Sequence, residues 1–98
     1  MVKQHSLQTE TGGKRPVFSD NPKTVRVALD AGESISEHSH PGTDIVFFVV
    51  SGAMTLELDE QAYDLAGGDI LQFEGERTIS GSADDETTVL VVLAERPT

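Results

Sequence analysis

The chain has 98 residues, no cysteine and a formal net charge of −10, from seven Lys and Arg against seventeen Asp and Glu. That length holds one domain with a modest core. The cysteine count excludes a disulfide framework and thiolate catalysis, and no apolar run reaches the roughly eighteen residues of a membrane span. Met1 to Glu10 is polar and has no apolar leader core, so a cytoplasmic location is expected and a membrane partner is not. Charge is unevenly spread. Residues 1–26 hold five Lys and Arg against two carboxylates, whereas residues 27–98 hold two against fifteen. Such an acidic body repels a phosphate backbone, so nucleic acid is not expected as a partner either.

In chain order, residues 1–24 carry turn formers (Gly12-Gly13, Pro16, Asp20-Asn21-Pro22) and few apolar positions. They read as an N-terminal arm with one short strand near Arg15 to Phe18. From residue 25 to 98 the pattern becomes short apolar alternations cut by turns. Val25, Val27 and Leu29 alternate before Asp30-Ala31-Gly32. Ile45 to Val50 is a nearly continuous apolar run ending at Ser51-Gly52. Met54, Leu56 and Leu58 alternate with polar residues, and Asp59 and Glu60 read as a hairpin turn. Ala66-Gly67-Gly68-Asp69 turns the chain into Ile70 to Phe73, with Gln72 outward. Glu74-Gly75-Glu76, Thr78 to Ser82, an acidic loop and Thr88 to Ala94 complete it. About seven or eight short strands at this spacing predict an all-β fold, a sandwich or barrel. Phe47, Phe48 and Phe73 read as core. A domain this small buries a limited share of its surface, so a homodimer is expected, paired through the arm or an edge strand.

Chemistry concentrates in one stretch, Gly32 to Asp44, where His38 and His40 are two of the chain's three histidines. Alternate residues of a strand leave the same face about 7 Å apart, so both rings can converge on one ion. Neutral imidazole suits Zn, Fe, Ni, Mn or Cu. His5 lies in the arm, outside this cluster. No serine sits in a nucleophile elbow and no Gly-rich loop cradles a phosphate.

The run Gly32, five residues, His38, one residue, His40, then an apolar strand closing at Gly52 resembles the first motif of the cupin family. Gly68-Asp69 followed by Ile70 to Glu76 resembles the opening of its second motif. The resemblance spans about Val25 to Ala94 and implies an antiparallel β-barrel of jelly-roll form (a double-stranded β-helix). It also implies a barrel pocket that takes a small molecule, with a divalent metal as the usual cofactor. Departures accompany the matches. The family's glutamate position is Ile45, the neighbouring carboxylate is Asp44, and the second-motif histidine position is Ile79. The implied metal ligands here are thus His38 and His40, with Asp44 third if a bulge turns it inward. Two functions follow: a barrel binding a small polar ligand, with or without a weakly held ion, or a metal-dependent oxygenase or isomerase acting on a small organic substrate.

Overall fold

The computed structural model describes residues 2–7 and 13–97; of the expected arm, residues 1 and 8–12 lie outside them, as does residue 98. Among the described residues nine strands follow one another: β1 Lys14–Phe18, β2 Lys23–Leu29, β3 Ser34–His38, β4 Thr43–Ser51, β5 Ala53–Leu58, β6 Gln61–Ala66, β7 Ile70–Glu74, β8 Ile79–Ala83 and β9 Thr87–Glu95. They form two antiparallel sheets, ordered β1-β2-β9-β4-β7 and β3-β8-β5-β6. This is the jelly roll implied by the sequence, with nine strands rather than seven or eight. The additional ones are β3, which holds a single apolar residue, and β6, whose polar positions hide an inward Tyr63 and Leu65.

Period-two alternation puts one face of each sheet in the core. Ile45, Phe47 and Val49 of β4 meet Val89 and Leu93 of β9 across the five-stranded sheet, while Met54, Leu56 and Ile79 fill the facing sheet. Ile45, Val49, Met54, Leu56 and Val89 are all essentially sealed from solvent. Burying a side chain of this size contributes about 1.5–3 kcal/mol, which is why the two sheets close on each other rather than splay.

Turn chemistry sets the strand ends. Asp59 and Glu60 both take positive φ, 49° and 72°, as a two-residue hairpin with strand-matched twist requires. Asp59 then accepts a hydrogen bond from the Thr78 amide at 2.9 Å and pairs with Arg77, tying the hairpin to the start of β8. Gly52 joins β4 to β5 at φ 96°, where a Cβ would stand 2.3 Å from the Glu86 carbonyl oxygen. Gly68 opens β7 at φ 98°, and its amide and the Asp69 carbonyl bond Val49 at 2.7 and 2.9 Å. The Gly-Asp pair therefore docks one strand entry onto β4.

Candidate ligand site

Between the sheets lies a cavity of about 440 Å³, open at one end. Its body is apolar, with Val25, Val27, Ile45, Phe47 and Val91 from the five-stranded sheet and Ile35 and Ile79 from the other. Polar groups gather at the mouth. His38 and His40 stand there with Thr43, Asn21, Lys14, Lys23 and Glu95, and Ser19 and Ser34 complete the polar lining.

The two rings meet edge to face, with centroids 4.8 Å apart and planes at 82°. They do so although His40 lies beyond the end of β3. The β3–β8 register slips between Ile35 and His38, and the irregularity lets the chain leave the ladder while keeping His40 turned inward. His38 Nδ1 stands 2.7 Å from the Ser36 carbonyl oxygen. A carbonyl only accepts, so Nδ1 carries the proton of the neutral ring and Nε2 is left as the electron-pair donor.

His40 is held by its own backbone. Its amide donates to the Gly75 carbonyl at 2.7 Å, its carbonyl accepts from Thr43 Oγ1 at 2.7 Å, and the Gly75 amide donates to the Thr43 carbonyl at 2.8 Å. A Cβ on Gly75 would stand 2.2 Å from the His40 carbonyl oxygen, so only glycine fits this approach. Arg96 braces the same loop from outside. It donates to the Thr43 carbonyl at 3.1 Å and to Asp44 at 3.0 Å, and it pairs with Glu76, which accepts from the Gly42 amide at 2.8 Å. That amide bond, with Arg96 adding to it, holds the Glu76 carboxyl below its usual range.

Partial burial holds the His40 imidazole below its ordinary value of 6.5, and His38, Lys14 and Lys23 press the same way. The folded chain thus resists protonating this ring, whereas the unfolded chain takes the proton near 6.5. Below that pH the unfolded state binds more protons, so this group lowers stability as pH falls through 6.5.

Two of the three metal ligands read from the sequence come together, and the third does not. Asp44 is ion-paired to Arg96 and borders a separate outer depression with Gln72 and Arg77. The expectation that it could turn inward is corrected: β4 runs without a bulge from Thr43 to Val49, so Asp44 and Ile45 leave opposite faces. Ile45 lines the cavity, 1% exposed. Ile79 lines it too, directly opposite His38 in the β3–β8 ladder. A catalytic divalent centre takes three protein donors. Among the described residues no group of three or more His, Asp or Glu could hold an ion. The two imidazoles supply two of those three donors.

Sequence reading missed Gly75, Arg96 and the two mouth lysines. Lys23 had a visible signal, since it continues the inward alternation of Val25, Val27 and Leu29. Lys14 had none, because only the β1–β2 pairing sets it opposite Val27.

The same architecture occurs in solved structures. An RmlC-like cupin from Desulfovibrio desulfuricans is 22% identical, covering 96% of this chain and 97% of its own, with a TM-score of 0.86. TT1209 from Thermus thermophilus is 26% identical over 87% of this chain and 84% of its own, TM-score 0.77. KdgF from a Halomonas species is 24% identical over 86% and 78%, TM-score 0.75. No curated protein matches the sequence significantly. Residues 25–93 match the cupin domain model, and with the barrel and both motif turns in place the chain belongs to the cupin family.

Proposed function

We propose that this cupin domain binds a small molecule in the barrel, its polar end at the histidine mouth and its apolar body in the chamber, without a resident catalytic metal. One observation carries the reading: an open cavity of about 440 Å³ whose wall presents two imidazoles and, at the family's other two ligand positions, isoleucines. The size suits a small ligand, since such sites run from about 300 to 1,000 Å³. The apolar wall refines the sequence-based expectation of a polar ligand to one polar only at its head. A metal-dependent enzyme is the second reading, supported by the retained His38 and His40. His38 and His40 would hold such an ion, and it would supply Lewis-acid polarisation. Both rings must be neutral to hold it, so such binding weakens in acid.

Anilinonaphthalenesulfonate tests the first reading. At about 0.3 kcal/mol per non-hydrogen atom its Kd is expected on the order of 10 μM. Val25→Phe, which puts a ring into the chamber, is expected to weaken it about tenfold or more with the melting transition retained. No fluorescence gain below millimolar dye would show that the chamber does not admit a ligand.

The same reading includes pairing with a second copy. On the outer face of the five-stranded sheet, Phe48, Leu90 and Val92 are only half-buried, and Val50 and Ile70 are 39% and 61% exposed. Arg26 and Asp44 lie on that face too, but the apolar patch itself carries no carboxylate, so two chains at −10 each approach there with least repulsion. Sedimentation is expected to give a dimer that Phe48→Lys converts to monomer. A monomeric wild type at about 100 μM, well above typical working concentrations, would remove this part of the reading.

A further inference from the structure

Two lysines face the cavity of a strongly acidic chain. Lys23 stands on the inner face of β2, and Lys14, opposite Val27, reaches the same side from β1. The chain holds seven Lys and Arg against seventeen carboxylates, so acidic partners are plentiful. Lys3 pairs with Asp20, Arg77 with Asp59 and Glu74, and Arg96 with Asp44 and Glu76. Lys14 and Lys23 make no ion pair among the described residues. Their charges are nevertheless felt at the His40 ring, which lies in the same mouth. Among the described residues Glu95 is the one carboxylate in the cavity lining. Lys14 and Lys23 against Glu95 give the mouth an excess of one positive charge, which a single anionic group neutralises.

We infer that the cavity takes a small monocarboxylate, its head held by Lys14, Lys23 and His40 and its apolar body lying against Val25, Ile45 and Phe47. The assignment rests on the ligand-binding reading above and adds the charge of the ligand to it. The ammonium groups supply donors and a positive field, and the neutral His40 ring supplies one further N–H. Apart from Ser19 and Ser34 the rest of the lining is apolar and holds no charged residue, so a second charged group on the ligand would be buried without a counter-charge. That disfavours dicarboxylates and polyols and favours an unbranched or aromatic acid. A phosphate or sulfate ester would meet the same cations with two charges or a larger head, and the excess of one charge suits it less.

Hexanoate and hexanamide separate the two claims, because they share shape and carbon count and differ in charge. In NMR titrations at pH 7.5 and low salt, hexanoate is expected to bind about tenfold more tightly than hexanamide, as two partly exposed charge contacts supply. The ratio should shrink towards one in about 0.5 M sodium chloride, where screening is nearly complete. Lys14→Gln/Lys23→Gln should abolish the preference and leave hexanamide binding unchanged, while Lys14→Arg/Lys23→Arg keeps it. Equal affinity of the wild type for the two probes would overturn the anion assignment and leave the ligand-binding reading standing. A preference that survives the glutamine pair would overturn it as well, by placing the head elsewhere. Shifts from neither probe would take down both.

Discussion

Gly75→Ala is expected to lower the melting temperature by more than about 10 °C and to loosen His40 in the same step. The added methyl would sit 2.2 Å from the His40 carbonyl oxygen and 2.4 Å from Thr43 Oγ1. Two of these contacts are with groups that are already hydrogen-bonded, and the Gly75 carbonyl itself accepts the His40 amide at 2.7 Å. The loop must therefore move, and overpacking plus a lost buried hydrogen bond costs about 2–4 kcal/mol. In a domain of this size each kcal/mol shifts the transition by about 4–8 °C. The His40 ring signals in NMR should broaden or shift, because its backbone anchor is the group displaced. Gly13→Ala is the control: no atom lies within 4 Å of the added carbon, so its melting point should barely change. A Gly75→Ala protein that melts within about 2 °C of wild type would mean that the Gly75 turn does not anchor the histidine loop.

Ile79→His is expected to create a divalent-ion site where the native chain has two of the three donors. Ile79 is 4% exposed, lines the cavity and faces His38 across the β3–β8 ladder, so an imidazole there joins two that already meet at 4.8 Å. Zinc affinity should rise by about a hundredfold or more as the protein donors go from two to three. Without metal the variant should be less stable by about 2–4 kcal/mol, from lost apolar burial and a new polar group in the chamber. Zinc at about a hundred times its Kd should return about 2.7 kcal/mol of that. Ile79→Leu should show neither the loss nor the gain. In the wild type, zinc binding should be weak and vanish in His38→Ala/His40→Ala. Zinc bound equally by that double variant would place the ion on the acidic surface, and an unchanged affinity in Ile79→His would mean that the three side chains do not converge.

Much of the fold was legible because burial writes itself into a strand as alternation. Val25-Val27-Leu29 and Met54-Leu56-Leu58 declared their inward faces, and Gly32, Gly52 and Gly68, all at positive φ, marked turns that side chains rarely enter. The strands missed are those that bury least. β3 carries one partly buried apolar residue, Ile35, and β6 mixes Tyr63 and Leu65 with Gln61, Ala62 and Asp64. Both lie at sheet edges, where pairing on one side and little packing leave a weak pattern.

The site divides along the same line. Sequence by itself determined that His38 and His40 stand two residues apart, and its resemblance to the cupin motifs put Ile45 and Ile79 where further metal donors would be. Those facts depend on separations of a few residues along the chain, whereas the inward turn of His40, beyond the end of β3, follows from the irregular β3–β8 register. Only the tertiary structure decided that Asp44 turns outward to Arg96, fifty-two residues away, and that Gly75 grips the loop carrying His40. It likewise decided that Lys14 joins Lys23 at the cavity mouth. Each of these is a contact between distant segments, and its geometry follows from how two sheets pair and close, which no local pattern of residues encodes.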